Sequence, residues 1–597
     1  MAESRSVAFL GVERSLGGKR WQLRASDERA ALQMAQQLGL PEIVARVLAG
    51  RGIDAASAPQ FLEPRLRDQL PDPSHLKDMA KAAERIARAV TGGETVAVFG
   101  DYDVDGATSS ALLHRFLTQA GGRVRVYIPD RIKEGYGPNA PALLRLKEEG
   151  AGVIVTVDCG TTAHEPLARA AAAGIDVIVI DHHAAEPKLP DAFAVVNPNR
   201  IDETSPHRQL AAVGVAFLLA VAVNRDLRET GWYGNRAEPD LIGLLDLVAL
   251  GTVCDVVPLT GLNRVLVRQG LRVIGQRNKA GLVALADVAR LNERCGTYHL
   301  GFLLGPRVNA GGRVGAAGLG ARLLLTDDPH EARALAMKLD ELNRERQAIE
   351  AAVLEAAHAQ VGEDEANGAL AFAVGEGWHP GVIGIVAGRM REYYERPACI
   401  VALDGDIGKG SGRSANGFDL GAAIIAARQT GLLINGGGHS QAAGFTVART
   451  KIPALRSFLA ERIAEHAASG RLAPRMSLDG ALGLTAASDD LVSLLEQVGP
   501  FGVGNPEPRF AFADVRIVRA DVVGAKHVRC ILGDQRGGRL GAIAFRAVGT
   551  GLGEALLNSG GASLHVAGTL RADEWRGERR IQLHIEDAAP AYVTAAA

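Results

Sequence analysis

Asp101, Asp103 and Asp105 put three carboxylates within five residues, in the run Phe99-Gly100-Asp101-Tyr102-Asp103-Val104-Asp105-Gly106. Carboxylates this close must either take up protons at raised pKa or share a cation. A divalent ion removes the repulsion, and alternation along an extended turn would send Asp103 and Asp105 to neighbouring ions. The plainer readings are a solvated acidic turn or a calcium loop, but an EF-type loop needs Glu at its twelfth position, where Leu112 stands.

Three further places add ligand chemistry. Asp158 closes the apolar run before Cys159-Gly160; taken alone, such an Asp only caps the next helix. Asp181-His182-His183 follows Val177–Ile180, and neutral imidazole is a common transition-metal ligand. Adjacent histidines need not face one ion: His182 can ligate while His183 touches substrate or orients the shell. Asp255 lies in the apolar segment Leu250–Pro258, where a buried carboxylate needs a partner such as a metal. Cys254 beside it reads as packing. The set is expected at four strand ends. Mixed carboxylate and imidazole ligation suits manganese or magnesium better than structural zinc. Two ions ~3.5–4 Å apart would activate water and clamp both the attacking and the leaving oxygen of a phosphodiester.

Positive charge comes with glycine. Leu304–Arg313 (LGPRVNAGGR) holds Arg307, Asn309 and Arg313 in what reads as a Gly-rich loop, and Lys409–Ser414 (KGSGRS) reads likewise. Arg forks, Ser hydroxyls and glycine amides all suit phosphate. Ordinary turns carrying surface Arg are the competing reading, and neither segment ends in the GK[ST] of a Walker A loop. Gly436-Gly437-Gly438-His439 reads as a third loop of this kind.

The elements that must position these residues follow a β-then-α rhythm. Val96–Phe99, Val124–Ile128, Val153–Val157 and Val177–Ile180 are short β-branched runs separated by Ala-rich helical stretches. They predict a parallel sheet buried on both faces, with function beyond its carboxyl ends. Residues 328–360 predict a long helix joining two domains. The α/β pattern returns over 365–468, and short β-like runs from about 475 predict a small barrel. The expected division is an N-terminal extension (1–90) packed on the catalytic core, a catalytic domain (91–327), the connecting helix (328–362), a second α/β domain (363–470) and a barrel domain (471–597).

The 597 residues carry a net charge of −2, which neither favours nor excludes nucleic acid. Within 501–586 there are 12 Lys/Arg against 9 Asp/Glu, a modest basic excess of 3. The five cysteines form no CxxC pair, which argues against a zinc ribbon and a disulfide framework and for a reducing cytoplasm. The N-terminal residues have no signal-peptide pattern, and the apolar run Val213–Val223 is too short for a bilayer, which needs ~20 residues, so it predicts a buried helix.

In order along the chain, GDYDVDG (100–106), VDCG (157–160), DHH (181–183), GTVCDVVPL (251–259), LGPRVNAGGR (304–313), WHPGVIGIVAGR (378–389), GSGRS (410–414) and GGGHSQAAG (436–444) resemble the DHH phosphoesterase superfamily and, within it, the RecJ-type exonucleases. The resemblance implies two α/β domains, the DHH domain and the DHH-associated domain, joined by a long helix, with an OB-like barrel after them. It implies a 5′→3′ exonuclease of single-stranded DNA that uses two Mn2+ or Mg2+ ions, releases 5′-mononucleotides and serves DNA repair and recombination. Carried onto this sequence, Asp103, Asp105, Asp158, His182 and Asp255 are the implied metal ligands. Asp158 is the bridge, and Asp101 is a ligand or a residue behind the ligands. His183 faces substrate. Arg307, Asn309 and Arg313 hold phosphates near the metals. Arg131, Ser411 and Arg413 contact the 5′ phosphate, Tyr136 stacks on a base, and His379 and His439 line the cleft. Single-strand-binding protein and a helicase are the implied partners, and no membrane is involved. The rivals are an oligonucleotide or cyclic-dinucleotide phosphodiesterase of the same superfamily, a pyrophosphatase, and a DNA-binding scaffold without activity.

Overall fold

The structure is a computed structural model and describes residues 7–131, 133–361, 368–415, 417–468, 474–575 and 578–591. It has two compact units, one made of residues 73–255 and 270–468, the other of residues 7–72, 256–269 and 474–591.

The first unit opens with a five-stranded parallel sheet. Its spatial order is Arg123–Tyr127, Thr95–Gly100, Ala151–Val157, Asp176–Ile180, Ala194–Val196. In chain order that is 2-1-3-4-5, an arrangement whose switch point falls between strands 1 and 3, where helices leave in opposite directions and open a crevice. The four apolar runs read from the sequence are strands 1 to 4; the fifth strand is only three residues long. Apolar side chains cover the sheet on both faces: Val96, Val98, Phe99, Ile154 and Val179 are fully buried. The run Val213–Val223 lies inside the buried helix Ala212–Glu229. Among the described residues no helix is long and apolar enough to cross a membrane.

The helix Pro329–Gln360 follows, capped by Asp328, whose side chain accepts from the amide of His330. It leads to a second sheet in the order Asn435–His439, Ala442–Ala448, Ile407–Arg413, Ala398–Asp404, Ala371–Glu376, antiparallel except for the last pair.

Two of the expected loops are strands of this sheet, and the third is a helix. KGSGR lies in the strand Ile407–Arg413 and GGGH in the strand Asn435–His439. Their glycines reflect packing: a Cβ on Gly410 would sit 2.1 Å from the Phe445 ring. LGPRVNAGGR runs into the helix Gly305–Val314, continuous with a π-helical turn His299–Leu304. Here too glycine permits close approach, since a Cβ on Gly312 would meet the Tyr102 carbonyl at 2.9 Å. Asp255 also departs from expectation. It caps the C-terminus of the helix Leu245–Cys254 and does not end a strand. That helix is buried all round, from Leu245 to Thr252, so its sequence carries no helical stripe to tell it from a strand.

In the second unit, Phe510–Val523, His527–Gly533, Arg539–Ala544, Glu578–Pro590 and Ser563–Trp575 pair in that order, and the last pairs back to the first, closing a five-stranded barrel. Residues 7–72 group with the barrel in one compact unit. Met34, Val44, Ala45, Val47 and Leu48 enter the same apolar cluster as Leu491 of the helix Asp489–Val498 and Phe510 and Val566 of the barrel. Arg20–Leu23 pairs in parallel with Arg475–Leu478, and the buried Trp21 indole donates to Asp587 Oδ2 at 2.9 Å. The reason is apolar demand: the helices Glu28–Leu38 and Glu42–Ala49 each bury a single stripe, which joins the apolar cluster shared with the helix Asp489–Val498 and the barrel. Only the last part of the expected extension, the helix Met79–Gly92, belongs to the catalytic unit.

Candidate metal centre and anion cavity

The switch point gathers the carboxylates. Strand 1 ends at Gly100, and Asp101 and Asp103 fill the turn before the helix Val104–Gln119. That turn is held tight: Asp103 accepts from the Gly106 amide at 3.1 Å, and a Cβ on Gly106 would sit 2.4 Å from the Asp101 carbonyl. Strand 3 delivers Asp158, in the left-handed region with φ 63°. Strand 4 delivers Asp181, His182 and His183, and the helix end delivers Asp255.

Their ligand atoms converge in three overlapping sets, each within 4.8 Å: Asp101, Asp103 and Asp158; Asp158, His182 and His183; Asp105, His182 and Asp255. His182 Nε2 lies 3.3 Å from Asp158 Oδ1 and 3.5 Å from Asp255 Oδ2. Asp101 Oδ1, Asp158 Oδ1, His182 Nε2 and Asp255 Oδ2 are buried and have no hydrogen-bond partner. Buried polar atoms are almost always satisfied, so four such atoms gathered together fit a site for positive charge. Oxygen and imidazole donors in overlapping sets fit two divalent cations.

The electrostatics agree. Burial, then the neighbouring Asp103, pushes Asp101 and Asp158 far above the usual carboxylate range. Burial and Asp103 lift Asp105 to about 7, against the pull of two backbone amides, Ala212 at 2.7 Å and Val213 at 2.9 Å. Burial and Asp105 lift Asp255 to about 9. Burial and the adjacent His183 lower His182 to about 4, which leaves its imidazole neutral and ready to ligate.

Asp181 is the residue of the DHH run to which sequence reading gave no role. It is buried and accepts from the amides of Thr161, His182 and His183 and from His183 Nδ1, the last at 2.7 Å. Burial opposes its charge, but these donors hold it well below the usual range. Burial likewise opposes charge on His183, and the bond to Asp181 raises it nonetheless. The signal was present in the sequence: an Asp directly before two histidines can bond their backbone and a ring at once. Tyr136 stands beside this pair, its ring half-exposed and its hydroxyl donating to the Asp158 carbonyl at 3.1 Å.

Next to the centre is a cavity of about 480 Å³ lined by Arg131, Arg313, Lys409, Ser411, Arg413 and glycine-rich backbone, with no carboxylate among its lining residues. Because even positions of the strand Ile407–Arg413 are packed inward, Lys409, Ser411 and Arg413 share its other face. The helix Ile383–Tyr394 begins here, so its first amides add partial positive charge. Arg313 belongs to both places. Its guanidinium donates to the Gly381 carbonyl at 2.9 Å, and burial with Arg131 and Arg346 nearby lowers it to about 10.

Other expected site residues lie outside that lining. Arg307 is bound to Asp340 at 3.0 Å and to the Leu303 carbonyl at 2.6 Å. Asn309 is half-buried on the same helix. His379 accepts from the Gly381 amide at 3.0 Å and so shapes the turn whose carbonyl holds Arg313. His439 accepts from the Gln441 amide at 3.3 Å at the turn joining two strands. Lys409 and Asn435 line the cavity without having been singled out.

A parallel sheet that collects carboxylates and a DHH tripeptide at its switch point, followed by a second α/β module, defines the DHH class of phosphoesterases. Three family models match in the same order: "DHH family, N-terminal domain" over 95–252, "DHHA1 domain" over 367–465 and "RecJ OB domain" over 478–587. The single-stranded-DNA-specific exonuclease RecJ of Escherichia coli (strain K12) is 37% identical over 92% of this chain and 96% of its own. That of Bacillus subtilis (strain 168) is 35% identical over 96% and 71%. The crystal structure of RecJ in complex with Mn2+ from Thermus thermophilus superimposes with a TM-score of 0.79 at 30% identity, covering 95% of this chain and 79% of that one. The chain belongs to the RecJ family of single-stranded-DNA-specific exonucleases.

Proposed function

We infer that the protein is a metal-dependent exonuclease that degrades single-stranded DNA from its 5′ end and releases 5′-mononucleotides, acting in DNA repair and recombination. The observation that carries this reading is the adjacency of a centre built for two cations to a cavity built for an anion, with Arg313 shared between them. A terminal phosphate in the cavity leaves the next phosphodiester at the carboxylates, which fixes both polarity and product size.

Asp101, Asp103 and Asp158 would hold one Mn2+ or Mg2+ ion, and Asp105, His182 and Asp255 the other, with Asp158 and His182 within reach of both. When bound, the pair supplies an activated water and charge compensation on the attacked phosphate. The chain's own residues do the rest. His183, fixed through Nδ1 by Asp181, presents Nε2 as a hydrogen-bond donor to a phosphate oxygen or to the departing 3′ oxygen. Arg313, desolvated and pre-oriented by the Gly381 carbonyl, stabilises charge that develops on the phosphate. Arg131, Ser411 and Arg413 hold the 5′ phosphate, with Lys409 adding charge. Arg307, tied to Asp340, fixes the helix that carries Asn309 and Arg313. His379 and His439 shape the turns around the cavity. Tyr136 offers the half-exposed ring nearest Asp158 for the terminal base. The proposed partners are single-strand-binding protein and a helicase, in the cytoplasm.

Digestion of strands labelled at one end tests the reading. With manganese present, a 5′ label on single-stranded DNA should appear as mononucleotide at the earliest times, while a 3′ label stays on shortening strands and blunt duplex persists. A 3′ label released first, or activity confined to dinucleotides, would refute it; the second result would favour an oligonucleotide phosphodiesterase of the same class.

A further inference from the structure

We propose that Tyr298 and Phe302 form a platform on which bases of the single strand stack as it leaves the metal centre, an inference that rests on the exonuclease reading above. Tyr298 is 62% and Phe302 73% exposed, and their rings lie 5.2 Å apart at 26°, stacked on each other in water. Aromatic residues make up only 5% of the chain, so two large rings left side by side in solvent are a concentration of binding surface. Every base has a π-face, which makes aromatic platforms the usual means of holding single strands without reading sequence.

Their place in the fold gives the occupant. The rings project from the π-helical turn His299–Leu304 and the residue before it, with Leu300 and Leu304 buried on the opposite side. This turn is packed on the helix end that carries Asp255. The Leu300 carbonyl accepts from Cys254 Sγ at 3.4 Å, and a Cβ on Gly301 would meet Val253 Cγ1 at 3.5 Å. The same segment continues without a break as the helix Gly305–Val314. Its far end packs on the other wall of the centre, where a Cβ on Gly312 would touch the Tyr102 carbonyl at 2.9 Å, and there Arg313 enters the anion cavity.

One helical segment therefore runs from the rings, past Asp255, past the Asp101–Asp103 turn, to the pocket for the terminal phosphate. From Phe302 to Arg313 that is about 16 Å at the rise of a helix. A strand anchored by its 5′ phosphate and threaded across the carboxylates reaches the rings only after a few more nucleotides. A dinucleotide ends before them.

The test compares two substrates in one protein: a 5′-phosphorylated thymidine dinucleotide and a 5′-phosphorylated oligothymidylate of ~20 nucleotides. Digestion of both by the wild type is the control, and failure there would overturn the exonuclease reading itself. In the double variant Tyr298→Ala/Phe302→Ala, kcat/KM on the long strand should fall roughly 10- to 100-fold, carried by KM, as expected for lost base stacking. The dinucleotide should be cleaved at the wild-type rate. Trp at both positions should restore the long-strand KM. Abasic sites at the third to fifth nucleotides should raise KM for the wild type and not for the double variant. An unchanged long-strand KM would overturn the platform and leave the rings to a protein partner. Equal losses on both substrates would overturn it as well, because the rings would then serve only to brace the Asp255 helix end.

Discussion

Loading the centre with cations should expel protons, and the number follows from the carboxylates. In the metal-free protein at pH 7, Asp255, with its pKa lifted to about 9, is almost fully protonated, and Asp105, at about 7, is half so. Between them they hold about 1.5 protons. Asp101 and Asp158 are raised as well and add to this count, while the neutral His182 contributes none. Cations compete with these protons, so metal loading at pH 7 should release protons, on the order of one to two per chain. The count should fall as pH rises: at pH 9 the same two residues retain about 0.5. Apparent metal affinity should therefore climb steadily from pH 6 to pH 9. The sign for stability is opposite. A carboxylate raised in the folded state binds a proton that the unfolded chain, near its ordinary value of 3.8, has already lost. The metal-free fold should thus lose stability as pH rises through 7 to 9, and manganese should return it. Titration calorimetry of chelator-stripped protein with manganese, in two buffers of different ionisation enthalpy, counts the protons directly. Asp255→Asn should lower the count at pH 7 by about one. No release at pH 7, or release that grows with pH, would refute the claim that these carboxylates are held protonated by burial and by one another.

Asp181→Asn removes the charged partner of His183 while keeping its size; kcat on single strands should fall ~10- to 100-fold with KM within a factor of a few, and an unchanged kcat would remove Asp181 from the mechanism. Arg413→Ala should raise KM roughly tenfold for strands with a 5′ phosphate and leave 5′-hydroxyl strands unaffected, measured by competition between the two ends. In the barrel unit, buried Arg264 donates to the carbonyls of Phe61, Gln497, Val498 and Gly499, with its guanidinium 3.6 Å from the Phe61 ring centre. Arg264→Ala should cost that unit about 3 kcal/mol by orphaning those acceptors, read as a lower urea midpoint at unchanged slope, and a loss below about 1 kcal/mol would contradict the bonding described.

The middle of the first sheet was legible because strands 1, 3 and 4 are short apolar runs rich in β-branched residues and followed by Asp or Gly, a pattern that buried parallel strands produce and few other elements do. The long helix was legible from uninterrupted charge and the Asp328-Pro329 start. Three things were hidden for physical reasons. Asp255 sits after a helix buried on all sides, whose apolar run has no stripe to betray its period. The glycines of Ile407–Arg413 and Gly305–Val314 read as loop residues, because glycine's freedom in turns and its value where chains pack within a Cβ's reach look the same in a sequence. The partner of residues 7–72 lies more than 400 positions away, and nothing in the stripe on Met34 and Val44–Leu48 says which apolar surface will cover it. Within the centre, ligand types were readable one by one. The overlap of three ligand sets through Asp158 and His182 arises only when the strand ends are brought together by the fold.

The central claim is that side chains from three strand ends and one helix end share a pair of cations. Anomalous diffraction at the manganese edge, from crystals of this chain grown with manganese, measures that directly. The account predicts two peaks, one bounded by Asp101, Asp103 and Asp158 and the other by Asp105, His182 and Asp255, both vanishing in Asp158→Ala. Carboxylates turned apart with no peak between them, or peaks that persist in that variant, would contradict it.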